Sequence, residues 1–463
     1  MIITKIIDMS VRILVLTIGI VSSIYIAYNV NKSGYELLFM LPLVYGCVFV
    51  FFISPILFKK FNMFIAVFSL VTFTRYVILP ILIVFSGWYG GRSSVPPAAS
   101  SYDLALKLMS FELLVVSIVI YFLFKKLSNK NEFSKTIVKL PNNKFVYLLF
   151  IFVSFLLLGL SPNALTTFSF IIPSENMMDL GEGSSLETLT TYFLITSKYI
   201  IFLLMMSYCY KKYVISSKKK YIWLSFLIVL LNILILFGDN RSDFIITAIV
   251  SLFLLYKLYP KQSKIPIIIV IITIIIVTAF ITSHRNTVTY TRGDNPMVDI
   301  TDTLQVYLGG PYNVAIAIET ARLFPESSTP INLVYDLLRP AMGFNLILKH
   351  VDGFEFTNYL FNYRLFFSDH VSQIMPIIGQ GYYYFGFVFS PLLIIGFIIL
   401  VYYLIKSIQR QNRIELIFFL SIPITRLGFA MGQNAGILIN DTTFFLFLNL
   451  LVFYLNDKVV LRK

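Results

Sequence analysis

Long apolar runs, separated by short polar and charged segments, make up most of this chain. A helix needs about 20 apolar residues to cross the hydrocarbon core of a bilayer, and many of these runs reach that length. We therefore predict an all-α, polytopic membrane protein with about 12 transmembrane helices. The predicted spans are residues 11–29, 37–57, 62–86, 107–124, 145–161, 190–210, 221–237, 242–258, 265–283, 382–405, 414–431 and 440–456.

The composition supports this class, because 58% of the residues are hydrophobic, 13% are charged and the mean hydropathy is +0.82. A soluble domain is about half apolar and one quarter charged. The net charge of +14 does not indicate a nucleic-acid partner, since Lys and Arg cluster between the apolar runs. The two cysteines, Cys47 and Cys209, lie within apolar runs, so we predict neither a disulfide nor a cysteine metal site.

Charge also predicts the orientation. Most of the 37 Lys and Arg residues fall in alternate connections, such as KKYVISSKKK from Lys211 and KLYPKQSK from Lys257. Positive connections face the cytoplasm, so both termini are predicted to be cytoplasmic. The chain then divides into transmembrane helices 1–9 (residues 1–283), a large extracytoplasmic loop (284–381) and transmembrane helices 10–12 (382–463). Apolar stretches of the loop, broken by Gly and Pro, predict short amphipathic or re-entrant helices packed at the membrane surface.

One predicted hairpin has a tip, FGDNRSDF, that is unusually polar between two apolar spans. Gly238, Asp239 and Asn240 form turns readily, which explains their presence. Arg241 is not needed for a turn, and positive residues are disfavoured on the outer side. We therefore interpret Arg241 as a functional residue, although Asp239 and Asp243 could simply hold its guanidinium.

Three further cations, Arg75, Lys198 and Arg426, lie within predicted spans, in their outer halves. A cation inside a span costs about 2.5–3.5 kcal/mol on insertion scales, so such residues face a protein cavity and have partners. We predict a common anion site formed with Arg241. The structural alternative is that a carboxylate neutralises each cation, with Glu112 as one such partner. Since a guanidinium matches phosphate oxygens bidentately, the predicted ligand is a lipid with a phosphate or diphosphate head, such as a lipid-linked sugar.

The large loop adds a second set of candidates in NYRLFFSDHV. Arg364, Asp369 and His370 place a cation, an acid and an imidazole close together. Glycosyl transfer needs a base for the acceptor hydroxyl and a cation for the departing phosphate, and His accepts a proton near neutral pH. We therefore predict Asp369, His370 and Arg241 as catalytic residues.

The spacing of His370, Gly381 and Tyr384 resembles the H-[NSQ]-x9-G-x-x-[GTY] pattern of bacterial O-antigen ligases and related polymerases, with Val371 at the second position. The whole layout is similar to that of the Wzy-type oligosaccharide repeat-unit polymerases. It shares a polytopic chain, a G-x-x-R turn between two spans and a large outer loop in the C-terminal half.

This resemblance implies a GT-C-like fold in the bacterial inner (cytoplasmic) membrane. The implied enzyme is a metal-independent glycosyltransferase without a cofactor, acting in O-antigen, capsule or exopolysaccharide synthesis. Its substrate is an undecaprenyl-diphosphate-linked oligosaccharide, and the growing glycan is transferred onto a new repeat unit on the outer face. Further partners are membrane lipid, a chain-length regulator and a flippase, and no nucleic acid is expected. The implied substrate-binding residues include Arg241, Arg285, Arg339, Arg364 and Tyr384.

Two other functions stay open from the sequence. Buried cations in about twelve spans also suit a flippase or transporter of lipid-linked oligosaccharides, although transporters commonly show two similar halves. An O-antigen-ligase-like glycosyltransferase would use the same lipid donor with a different acceptor.

Overall fold

The computed structural model of the chain is mostly helical and describes residues 2–59, 62–128, 138–141, 144–170, 184–237, 241–263, 265–272, 295–348, 351 and 353–459. Seven helices within these ranges are long and apolar enough to cross a membrane. Three shorter apolar helices, of 10 to 17 residues, accompany them. Over the described residues the chain is thus an all-α membrane protein, apart from two short strands.

The chain forms two compact units, each built from three stretches of sequence. Unit 1 contains residues 1–131, 291–406 and 426–443, and unit 2 contains residues 132–290, 407–425 and 444–463. These units do not follow the three predicted segments, because most of the predicted outer loop belongs to unit 1 together with the first four long helices.

Those four helices are α1 (Ile2–Asn29), α2 (Met40–Leu57), α3 (Met63–Ser86) and α4 (Ala99–Ser128). Both α2 and α3 contain one π-helical turn, at Phe49–Ile53 and Thr74–Ile78, and each turn lies just before a proline. Proline has no N–H to continue the helical ladder, and a widened turn absorbs this defect. In α3 the widened turn carries Arg75 and Tyr76, both fully buried.

The predicted outer loop, from residue 295 onward, folds into short helices. These are α9 (Pro296–Tyr307), α10 (Pro311–Leu323), α11 (Pro330–Leu338), α12 (Asn345–Leu348) and α13 (Thr357–Phe366). Of the two predicted forms, amphipathic and re-entrant, the amphipathic surface helix is wrong for α10, because all its residues from Pro311 to Ile318 are buried. α10 packs against α4, against α13 and against Ile377–Phe389, the helix that follows α13. A helix that is apolar on every side belongs in a core rather than at a boundary.

The predicted span 382–405 is two helices, α14 (Ile377–Phe389) and α15 (Leu392–Arg410). Gly386 adopts φ +70°, a left-handed conformation that other residues rarely take, and kinks α14. The kink brings Ser390 back against Gly381, where a Cβ would overlap the Ser390 carbonyl oxygen. The apolar run therefore hides a break that the hydropathy pattern does not reveal.

Unit 2 is built around α5 (Phe145–Leu160), α6 (Ser185–Ser216), α7 (Lys220–Leu234) and α8 (Arg241–Leu258), which pack in sequence order. The predicted span 221–237 ends three residues early, since Ile235–Phe237 form strand β2, antiparallel to β1 (Phe168–Phe170). Residues 265–272 are also helical. The chain ends with α16 (Ile414–Leu427) and α17 (Ala435–Lys458).

Candidate functional site

Arg75 is held entirely by the protein. Its guanidinium lies 2.9 Å from Glu112 and also donates to the carbonyl oxygen of Gly309, at 2.9 and 3.2 Å. Both charged side chains are 0% exposed. Glu112, one partner candidate for the cations within spans, is thus the carboxylate that pairs with Arg75. With its donors used in this way, Arg75 joins α3 to α4 and to the turn before α10.

Two more predicted arginines have their own carboxylates. Arg426 of α16 pairs with Asp441 of α17 at 2.6 Å. Arg364 of α13 pairs with Glu319 of α10, with Nε at 3.0 Å from the carboxylate. Arg75 and Arg426 therefore form separate ion pairs, so the structural alternative describes these two cations and the common anion site does not. Arg364, a candidate of the predicted loop, is likewise paired with a carboxylate of the chain.

Lys198 lies in unit 2 on α6, where its ammonium donates to the carbonyl oxygen of Ile235 at 2.7 Å. Ile235 is the first residue of β2 and directly follows the last residue of α7, so Lys198 links α6 to the junction of α7 and β2. The rings of Tyr199 and Phe237 lie 5.3 and 5.2 Å from the ammonium. Lys198 also lines an apolar cavity of about 330 Å³.

Arg339, directly after α11, has a different environment. Its guanidinium lies over the ring of Phe356 at 4.7 Å, with Tyr335 and Tyr359 each at 5.9 Å. No described residue forms an ion pair or hydrogen bond with it, and its Nε is buried without a hydrogen-bond partner. Arg339 is therefore a cation on an aromatic platform (Tyr335, Phe356 and Tyr359), with donors that the described protein does not use.

A buried carboxylate that the sequence analysis missed lies one helical turn before Arg339. Asp336 is 0% exposed and accepts hydrogen bonds from the Thr357 N–H, at 2.9 Å, and from its hydroxyl. It also accepts from Gln380 at 3.1 Å and from the hydroxyl of Tyr384 at 2.9 Å. Burial raises the pKa of the Asp336 carboxyl, and these hydrogen bonds oppose that effect. Tyr384, a predicted substrate residue, is thus tied to the turn that precedes Arg339.

Helix α11 is amphipathic, but it buries its polar face and exposes its apolar face. Its polar residues Asn332 and Asp336 are buried, whereas Ile331, Val334 and Leu338 are 61%, 52% and 40% exposed. Exposed apolar side chains continue into the next segment at Phe344 and Ile347. A row of exposed apolar residues on a membrane protein is expected to contact lipid. Sequence periodicity identifies the two faces of α11 but not which of them is buried, which is why Asp336 was missed.

Asp369 and His370 lie at the opposite end of α13 and are exposed. The His370 ring contacts the ring of Phe366 edge-on at 4.9 Å. Thr357, beside Asp336, begins α13, and His370 follows the end of this helix, so about 14 Å of helix separates them. The structure therefore links Tyr384 to Asp336, one helical turn before Arg339, and places the predicted base at the other end of α13. Arg285 and the side chain of Arg241 lie outside the described residues.

Comparison of the chain with protein-family models, with curated proteins and with solved structures gives no match.

Proposed function

We propose that the chain is a polymerase of lipid-linked oligosaccharide repeat units, a glycosyltransferase that works at the outer face of the bacterial inner membrane. In this proposal about 12 transmembrane helices form a GT-C-like scaffold, and both termini are cytoplasmic. The growing glycan leaves its undecaprenyl diphosphate and is joined to the sugar of a new unit. The assignment draws on the resemblance of the sequence to the Wzy-type polymerases and on the surroundings of Arg339.

Arg339 carries the proposal, because it is a cation with a buried edge that forms no ion pair with any described carboxylate. A guanidinium with unused donors suits phosphate oxygens, which it binds in pairs. The aromatic platform offers ring faces to a sugar, and Tyr359 is 48% exposed. The exposed apolar face of α11 leads up to the same residue. These three features suit one molecule with an apolar tail, a phosphate head and an attached glycan.

The reaction removes one proton from the acceptor hydroxyl. An acceptor hydroxyl oxygen bonds to the anomeric carbon of the donor sugar, and the bond from that carbon to the diphosphate oxygen breaks. Arg339 would stabilise the negative charge that develops on the departing diphosphate. Tyr384 would receive the acceptor proton while passing its own to Asp336. The raised pKa of Asp336 favours its protonation.

The residues predicted from the sequence keep separate roles in this proposal. His370 and Asp369, beyond α13, would orient the glycan away from the reacting bond. Arg241 and Arg285 stay predicted diphosphate ligands. Arg75, Arg364 and Arg426 would support the fold through their ion pairs.

The test replaces Arg339 and follows polysaccharide length in cells that depend on this chain. Arg339→Ala is expected to abolish long chains, with single lipid-linked repeats accumulating on the outer face. Arg339→Lys should restore few long polysaccharide chains, because an ammonium cannot bind two phosphate oxygens in a planar fork. Arg322 offers a matched control, since it is exposed in the same segment and donates to Ser101.

Arg322→Ala should leave the chain-length ladder unchanged. An unchanged ladder in Arg339→Ala, at equal protein levels, would overturn the proposal. Accumulation of repeats on the cytoplasmic face would instead favour the flippase. Repeats that polymerise normally but fail to reach their final acceptor would favour the ligase.

A further inference from the structure

A group of six exposed lysines lies at one end of unit 2, where its helices are joined. Five of them fall within ten residues, at the end of α6, in the short connection and at the start of α7: Lys211, Lys212, Lys218, Lys219 and Lys220. The sixth, Lys261, follows the end of α8. These six residues are called the lysine cluster below.

Contacts between the helix ends hold the cluster together. Gln262, next to Lys261, donates to the hydroxyl of Tyr213 at 3.0 Å, so the segment after α8 lies against the last turn of α6. The hydroxyls of Ser225 and Tyr259 are 2.8 Å apart, which ties α7 to the same segment. The ring of Tyr259 also meets the ring of Tyr213 edge-on at 5.3 Å. The positive charges are therefore concentrated at one place on the surface of unit 2.

No described carboxylate neutralises these six charges. The sequence contains neither Asp nor Glu in residues 188–238 and 244–293, which include the whole cluster. Two described carboxylates that belong to unit 2, Glu415 and Asp457, pair with Arg413. The ammonium groups of the cluster are thus available to an anion from outside the chain.

Exposed apolar side chains border the cluster on both helices. Val214 and Ile215 of α6 are 61% and 72% exposed, and Trp223 of α7 is 48% exposed. Exposed apolar residues at the end of a membrane-spanning helix meet acyl chains, and Trp is typical of the boundary between acyl chains and headgroups. Lysine stems extend along such a surface and place the ammonium among the headgroups. These surroundings suit a lipid surface better than an acidic protein.

We propose that the lysine cluster binds the headgroups of anionic phospholipids at this end of unit 2. A lipid with a net negative charge is attracted to several lysines at once, whereas the cation of a zwitterionic headgroup offsets its own phosphate. The lipid is a bound neighbour of unit 2 and not a substrate. The inference does not depend on the proposed polymerase activity.

Quenching of Trp223 by brominated lipid tests the proposal on the full-length chain in bilayers. The sequence has two Trp residues, so Trp88→Phe leaves Trp223, three residues after Lys220, as the reporter. One set of bilayers mixes phosphatidylcholine with brominated phosphatidylglycerol, and a reciprocal set carries the bromine on phosphatidylcholine. We expect phosphatidylglycerol to bind about fivefold more strongly than phosphatidylcholine beside Trp223. The preference should weaken as NaCl rises from about 0.1 to 1 M, because the Debye length falls from about 10 to 3 Å.

Two triple variants of the cluster and one control separate charge from folding. Lys218→Gln, Lys219→Gln and Lys220→Gln together should lower the preference for phosphatidylglycerol about twofold or more. Arg at the same three positions should retain the preference, because the charges are kept. The matched control removes the same net charge from exposed lysines of unit 1 by substituting Gln for Lys32, Lys107 and Lys126. It should leave the preference unchanged.

Equal binding of phosphatidylglycerol and phosphatidylcholine beside Trp223 would overturn the proposal. A preference that survives in the triple Gln variant, or that falls equally in the control, would also overturn it, since the cluster would not be its cause. If Trp88→Phe does not yield folded protein, native mass spectrometry of chains that keep Trp88 decides the question. The Arg variant should then retain more phosphatidylglycerol than the Gln variant, and equal retention would contradict the proposal.

Discussion

The buried ion pair of Arg75 and Glu112 makes a quantitative prediction about stability. Arg75→Met would leave the Glu112 carboxylate without its cation at a site that is 0% exposed. Breaking one side of such a pair costs about 3–5 kcal/mol, because a buried charge remains uncompensated. The Gly309 carbonyl would also lose its two donors, which adds about 1–3 kcal/mol.

Glu112→Leu should also lower the free energy of unfolding by about 3–5 kcal/mol, because Arg75 would keep an unpaired charge. The double variant, Arg75→Met with Glu112→Leu, removes both charges. Replacing a buried pair by apolar residues of similar volume is often neutral or stabilising. We therefore expect the double variant to lose only the Gly309 contribution, about 1–3 kcal/mol, which is less than either single variant.

The assay is unfolding of the purified protein in mixed micelles with increasing SDS, followed by tryptophan fluorescence. Lys107→Ala provides the control, because the side chains of Lys107 and Asp103 are 50% and 39% exposed in their ion pair. An exposed pair contributes about 0–1 kcal/mol. The reasoning fails if the losses of the two single variants simply add in the double variant, since additivity would mean that the two side chains do not interact energetically.

Three further predictions concern other parts of unit 1. Burial raises the pKa of Asp336, so the folded chain binds more protons than the unfolded chain above a pH of about 4. Its free energy of unfolding should therefore fall as pH rises through the folded pKa, and Asp336→Asn should flatten this slope in SDS unfolding at a series of pH values. Gly381→Ala should reduce the yield of folded protein, because the added Cβ meets the Ser390 carbonyl, whereas Gly396→Ala, with open space around its Cβ, should not. A fluorophore on Ile347→Cys, in a chain with both native cysteines replaced by Ala, should be quenched by spin-labelled lipid, and emission unaffected by such lipid would contradict membrane contact of this apolar surface.

The sequence predicted the helical class and most long helices, because hydropathy reports the free energy of transferring each residue from water to lipid. This free energy depends little on which other residues lie nearby in the fold. It also gave Glu112 as one candidate partner for the buried cations, because few acids lie within spans, and the structure pairs Glu112 with Arg75. The ends of helices were less predictable. The run 382–405 is apolar throughout, yet it breaks near Ser390 because Gly386 and Pro391 interrupt the helical backbone.

Long-range packing explains what the sequence did not predict. The surroundings of Asp336 come from Thr357, Gln380 and Tyr384, at positions 21 to 48 residues later in the chain. No local pattern connects them. Likewise, α10 is buried because α4, α13 and α14 surround it, and nothing in its own periodicity specifies three neighbours.

The ion pairs change how a cation in a membrane protein should be interpreted. The cost of placing Arg in a span applies whether its partner is a ligand or a carboxylate of the chain, so depth alone cannot separate the two cases. Arg75 and Arg426 illustrate this, since both lie in predicted spans and both have a carboxylate of the chain. A cation that binds an anionic ligand must keep donors available in the folded protein. Among the described arginines that the sequence singled out, Arg339 meets this requirement, although it lies outside the predicted spans. Its guanidinium lies over the rings of Tyr335, Phe356 and Tyr359, and cation–π contacts of this kind do not use the N–H donors in the guanidinium plane.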